Sequence, residues 1–188
     1  MLSLTALSLP LPEFTHERVE TRTGHRSGLV ITVALHSSAL GPALGGARLW
    51  TYPHWSDALG DALRLSSAMT LKNAAAGLDA GGGKSVIALA PGTVLDAERR
   101  RAAFLDLGDA VEALGGLYRT AEDVGSTTQD MLVVSERTDH VVGLPEAGGG
   151  SGEPAGPTSL GVYESIRATL ERVTGSPDVA CRRITVSG

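Results

Sequence analysis

Two lysines, Lys72 and Lys84, stand twelve residues apart in the stretch MTLKNAAAGLDAGGGK (Met69 to Lys84), with small residues around them and no acid beside either. Ammonium groups held close together raise each other's electrostatic energy, which depresses the pKa of at least one. A lysine that is neutral near physiological pH serves as a general acid or base, while a charged neighbour can hold a substrate carboxylate. The ordinary alternative is a pair of solvated surface lysines. The flanking AAAG and GGG argue against it, because they ask the backbone to pack or bend tightly.

Other motifs that could do chemistry fall away. GGGKS resembles the end of a phosphate-binding loop, but that motif needs glycine where Leu78 stands, and it follows its strand rather than preceding one. The five histidines (His16, His25, His36, His54 and His140) have no metal-ligand spacing, and Cys181 has no partner cysteine, so no metal is expected. A serine-hydrolase G-x-S-x-G elbow is missing too.

The elements that must position the lysines alternate along the chain. Arg18 to Arg22, a turn at Gly24 to Gly28, and the β-branched run Leu29 to Leu35 predict a hairpin. Ser56 is a plausible N-cap for a helix to about Leu71, with Leu59, Ala62, Leu63, Ala68 and Met69 near helical spacing. Ser85 to Ala90 predicts a buried strand, Asp96 to Leu114 a helix, Leu117 to Thr120 a strand, Thr127 to Arg137 a helix, and Val141–Val142 another short strand. Six glycines and three prolines between Gly143 and Pro157 mark a loop or hinge. A helix from Thr158 to Val173 follows. Strands alternating with helices predict an α/β fold, three layers (α/β/α) around a largely parallel sheet.

Composition bounds the class. At 188 residues, 42% hydrophobic and 20% charged, the chain suits one globular domain and part of a second. A net charge of −5 without a basic run argues against nucleic acid as a partner. One cysteine fits a reducing compartment. The apolar opening MLSLTALSLPLPEF lacks a basic start and is broken by prolines, so it reads as a mobile or edge-packed N-terminus rather than a signal peptide. No apolar run is long enough for a membrane span, and a cytoplasmic protein is expected. The closing ITVSG reads as a first strand delivering Gly188 to the phosphate turn of a dinucleotide-binding unit, a weak motif that an ordinary strand would share.

Three blocks in order, GPALGGARLW (Gly41 to Trp50), AMTLKNAAAGLDAGGGKSVI (Ala68 to Ile87) and TAEDVGSTTQDM (Thr120 to Met131), resemble the amino-acid dehydrogenases of the glutamate, leucine, phenylalanine and valine group. The resemblance runs from about Leu35 to Gly188 and is closest to leucine and valine dehydrogenases. It implies oxidative deamination of an L-amino acid to a 2-oxo acid and ammonia with NAD as hydride acceptor, in a homo-oligomer. It also implies a substrate domain over residues 1–143, and a hinge, linker helix and first strand of a truncated Rossmann domain over residues 144–188.

Carried over by position, the resemblance makes Lys72 the group that binds the substrate α-carboxylate and Lys84 the catalytic lysine that polarises the carbonyl or activates water. Asp123 resembles the acid that exchanges a proton with the amino nitrogen; read without the family, a turn or N-cap carboxylate before the helix at Thr127 is the favoured reading. Leu44, before Gly45 and Gly46, stands where glutamate-specific members carry lysine. An apolar residue there leaves a buried side-chain carboxylate unpaired, which is costly, so an apolar amino acid is favoured. Met69 and Ala121 line the same pocket on this reading, although Met69 also suits a plain core position. Thr158 resembles a threonine that contacts the nicotinamide amide, and Val142 departs from the threonine common in leucine-type members. The rival expectation is a truncated module that folds and oligomerises without redox activity.

Overall fold

Arg18–Thr23 (β1) and Val30–Ser37 (β2) pair antiparallel across a turn in which Gly28 takes φ 70°. In the computed structural model, which describes residues 14–148 and 150–186, this hairpin joins a five-stranded sheet of order β1-β2-β4-β3-β5. The other strands are β3 (Ala43–Thr51), β4 (Gly81–Leu89) and β5 (Tyr118–Glu122). β4 runs antiparallel to β2, while β3 is parallel to both β4 and β5. Only β2 therefore opposes the common direction, and the largely parallel expectation holds.

Alternation along the strands sends side chains to two faces. Ile31, Val33, Leu35 and Ile87 meet Phe104, Leu107 and Val111 of α2 (Ala97–Glu112) and Met131 and Val134 of α3 (Thr128–Ser135). Ala34, Val86 and Ala88 meet Ala58, Ala62 and Leu63 of α1 (Trp55–Ala75) on the opposite face. These are the three layers. Each fully buried Ile, Leu or Phe in them contributes roughly 1.5–3 kcal/mol.

Several boundaries differ from the sequence expectations. Helix α1 starts after His54, whose backbone N–H donates to Asp57 at 3.1 Å, rather than at Ser56. It runs past Leu71 to Ala75, and Gly77 at φ 67° follows its end. Lys72 thus lies in a helix's last turn, where a cation favours the helix dipole. Strand β3 is absent from the sequence expectations, and β4 begins at Gly81 instead of Ser85. A Cβ on Gly82 would lie 2.1 Å from Thr70 Oγ1 and 2.2 Å from Thr70 N, so glycine in this strand lets α1 approach the sheet. The short strand at Val141 reduces to one parallel bridge with Thr120.

The chain divides into two compact units, residues 1–152 and 153–188. Leu144 packs on the core of the first unit and accepts a bond from Gly152 N, which ties the intervening loop to it. The second unit holds α4 (Ala155–Thr174), none of whose residues is buried. Residues 182–186 form no strand: Ile184 and Val186 are exposed, without the neighbouring strand that would satisfy their backbone groups. Gly188 and most of the N-terminal apolar segment lie outside the described residues. No described helix is long and apolar enough to cross a membrane.

Candidate active site

Lys84 sits mid-strand in β4 and is buried, its Nζ 2.8 Å from Asp123 Oδ2. Asp123 follows the last residue of β5, so the pair spans β3, the strand between. Gly46 of β3 permits this. It shares the face of Arg48 by alternation, and a Cβ there would fall 2.7 Å from Asp123 Cβ and 2.7 Å from Glu122 O.

The turn-carboxylate alternative for Asp123 does not hold. Helix α3 is capped by Thr127, which accepts from Asp130 N while Asp130 accepts from Thr127 N. Asp123 instead has its backbone fixed by Ser126, whose Oγ accepts from Asp123 N at 2.8 Å and donates to Ala47 O at 2.7 Å. Its side chain is left to face the lysine.

Burial is the largest influence on Lys84 and pushes its ammonium below the usual lysine range. The bond and charge of Asp123 oppose this, and the nearby Arg48 charge adds to the depression. The cationic neighbour is thus Arg48, not Lys72. For Asp123, burial favours the neutral acid, but the hydrogen bonds and charges of Lys84 and Arg48 outweigh it and hold the carboxyl low. A buried lysine with a depressed pKa beside a carboxylate held low is an arrangement that can exchange protons.

Around the pair, register places the remaining strand residues. Leu44 pairs with Gly82 and Arg119, Gly45 with Thr120, and Gly46 with Ala121. Leu44, Ala121, Lys84 and Asp123 thus line one region of three adjacent strands, on the α1 face. Gly45 alternates to the other face with Ala43 and Ala47 and is buried; a Cβ on it would lie 1.8 Å from Gly83 O, and its carbonyl accepts from the fully buried Tyr118 hydroxyl at 2.8 Å. Burial pushes the Tyr118 phenol up to about 12, which keeps it a donor. On α1, Asn73 donates to Gly81 O at 2.6 Å, fastening the helix end to the sheet. Half-buried Met69 lies between the sheet-facing Ser66 and Asn73 at helical spacing, and Lys72 is exposed beside Asn73.

The family model that matches residues 14–140 is Glu/Leu/Phe/Val dehydrogenase, dimerisation domain. The chain belongs to the Glu/Leu/Phe/Val dehydrogenase family. It is 41% identical over 178 residues to leucine dehydrogenase of Bacillus subtilis (strain 168), covering 95% of this chain and 48% of that protein. It is 42% identical over 173 residues to valine dehydrogenase of Streptomyces coelicolor, covering 92% and 46%. Among solved structures, L-tryptophan dehydrogenase from Nostoc punctiforme superposes with a TM-score of 0.64 at 35% identity, over 87% of this chain and 44% of that one. The chain therefore spans about half the length of the curated relatives it matches.

Two residues of this dehydrogenase-family chain are expected from the resemblance to contact NAD. Thr158 is exposed on the first turns of α4, in the second unit, and Gly188 lies outside the described residues. Sequence reasoning missed Arg48, Asp61, Tyr52 and Asn73. Arg48 Nε lies 3.0 Å from Asp123 Oδ2 and its Nη1 2.8 Å from Asp61 Oδ2. Asp61 also accepts from the Tyr52 hydroxyl at 2.8 Å and pairs with Arg64. One signal was present: Arg48 follows Gly46 by two residues, the spacing of one strand face.

Proposed function

We propose that this chain is the substrate-binding part of an NAD-dependent L-amino-acid dehydrogenase acting on an apolar amino acid of the leucine, valine or phenylalanine type. The reaction is oxidative deamination to the 2-oxo acid and ammonia. The observation that carries the reading is the 2.8 Å pairing of buried Lys84 with Asp123. NAD, held by a nucleotide-binding portion that includes Thr158, supplies the hydride acceptor.

The chain's own residues do the rest. Lys72, solvent-facing and cationic, binds the α-carboxylate as a point charge. Leu44, Ala121 and Met69 receive the side chain, with Gly45 holding the floor of the pocket through its bond from Tyr118. Asp123, ionised at neutral pH, takes or returns a proton at the amino nitrogen. Lys84 holds the water that adds to the imine carbon and takes its proton, its burial-lowered pKa making the neutral amine more available for that role. The family model's description as a dimerisation domain supports a homo-oligomeric assembly, which sedimentation analysis tests.

The activity test follows NAD reduction spectrophotometrically in a polypeptide that carries the nucleotide-binding portion, with leucine, valine, phenylalanine and glutamate in parallel. Turnover of the apolar substrates, lost on Lys84→Ala, is expected. Preference for glutamate, or turnover unaffected by Lys84→Ala, overturns the reading.

A further inference from the structure

Lys84 Nζ and Arg48 Nε both approach Asp123 at one atom, Oδ2, the first as an ion pair at 2.8 Å and the second as a hydrogen bond at 3.0 Å. Arg48 reaches Oδ2 through Nε and turns Nη1 to Asp61 Oδ2, so one planar guanidinium bridges two carboxylates. Asp61 is itself fixed, accepting from the Tyr52 hydroxyl at 2.8 Å and pairing with Arg64. The bridge joins β3, α1 and the residue after β5, three separate elements. Such a fixed fork suits guanidinium, whose donors lie in one plane, and not the rotating ammonium of lysine.

We propose that Arg48 is a positioning residue: with Lys84 it pins Asp123 through Oδ2, Asp61 and Tyr52 hold the guanidinium in place, and Oδ1 is left to face the substrate. The inference deepens the proposed function and rests on the roles given there to Lys84 and Asp123. A carboxylate free to rotate would present either oxygen, or neither, to the amino nitrogen. Pinned by two cations on one oxygen, it presents the other in a fixed direction, the preorganisation that proton transfer requires.

The clamp also makes the charge around Lys84 a balance. The groups that face it are Asp123 beyond β5, Arg48 on β3 and Asp61 on α1. Arg64 and Tyr52 act on Asp61, and the Tyr118 phenol lies on the far side of the sheet. Arg48 disfavours the ammonium, while Asp123 and Asp61 favour it. Removing Arg48 and removing Asp61 must therefore move the Lys84 titration in opposite directions. A purely structural role for the clamp would move it one way for both, since each loss would admit water to the same site.

The chain offers a clean readout, because Lys72 and Lys84 are its only lysines. Protein labelled with ¹³C-lysine gives two Cε resonances, exposed Lys72 serving as internal control, and each is titrated in the unsubstituted chain. Arg48→Gln should raise the Lys84 pKa by about one unit, the lower end of the effect of a close charge. Asp61→Asn should lower it, Arg48→Lys, which keeps the charge but not the planar fork, should return it only in part, and Lys72 should not move. Shifts of the same sign in Arg48→Gln and Asp61→Asn, or none in either, overturn the proposal. If Arg48→Gln does not fold, an unmoved Lys84 in Asp61→Asn is sufficient to overturn it. The titration uses neither substrate nor NAD, so a failed dehydrogenase assay and a failed clamp are told apart.

Discussion

A Cβ on Gly46 would fall 2.7 Å from the Cβ of Asp123, closer than real side chains approach. The Lys84–Asp123 pair exists because β3 carries no side chain at that point. Gly46→Ala should therefore push Asp123 away from Lys84, at a cost on the order of 1–3 kcal/mol as for other overpacked sites. Urea denaturation should show a stability loss of that size, while kcat falls more steeply than stability explains. A Gly46→Ala protein with full kcat would show that the pair does not depend on this close approach.

The hairpin was legible because it follows a local rule, alternation on either side of a glycine turn, and α2 and α3 were legible in outline. The lysine and aspartate of the site were legible through the family blocks around them. What was not legible are features set by distant contacts. The strand expected from Ser85 stops short of Gly81 to Gly83, yet the Ser37 backbone, Thr70 and Tyr118 leave no room there for a side chain. The Arg48–Asp61 bridge joins a strand to a helix, and nothing in the one-dimensional pattern ties those two positions together. Mutual repulsion of the two lysines, the sequence argument for a lowered pKa, gave the right direction for Lys84; the structure supplies burial and Arg48 as its causes.

Lys84 and Lys72 should separate kinetically. Lys84→Ala removes the group proposed to handle the water proton and should lower kcat by about 10²–10⁴-fold, the usual contribution of a general acid or base. Lys72→Ala removes a charged contact already made in the ground state, so it should mainly raise KM. Steady-state kinetics of both variants, in a polypeptide with the nucleotide-binding portion, checks the division. The assignment is wrong if the two effects are exchanged.

Leu44, half-buried at the start of β3, should set side-chain preference. Leu44→Lys places an ammonium in the proposed side-chain pocket, where the apolar side chain of leucine or valine cannot pair with it, which penalises those substrates. Their kcat/KM should fall, and that for glutamate should rise relative to them. Equal kcat/KM for leucine and glutamate in the unsubstituted protein would falsify the pocket argument.

Acid sensitivity should centre on Asp106 of α2, far from the lysines. Burial favours its neutral form, yet it accepts from Ser27 N at 2.9 Å, Ser27 Oγ at 2.8 Å and Arg26 Nη1 at 2.9 Å, and these hold its carboxyl below the usual range. A folded-state pKa below the unfolded one means that Asp106 stabilises the fold above the unfolded value, about 3.9. That contribution disappears as pH falls through the lower folded value. Asp106→Asn should cost on the order of 1–3 kcal/mol at pH 7, by weakening the bonds that hold the hairpin turn. The gap between the two proteins should narrow on acidification. Urea midpoints at neutral and acid pH measure it, and a gap that widens toward low pH reverses the sign argued here.

The last prediction concerns how the two compact units withstand proteolysis. The first unit carries both buried clusters, and its loop after Val142 is tied in by Leu144 and by the bond from Gly152 N to Leu144 O. Helix α4 has no buried residue and exposes Leu160, Val162, Tyr163 and Val173, side chains that thermolysin and chymotrypsin cut beside. Cleavage requires local opening, which is least costly where little apolar surface is buried. A short digest of this chain should therefore destroy α4 first and leave a resistant fragment whose C-terminus lies near Gly152, not near Gly143. Mass spectrometry of the fragment reads the position directly. Survival of α4 as long as the first unit would show that it is held by contacts beyond its own, and a C-terminus at Gly143 would favour the boundary expected from the sequence.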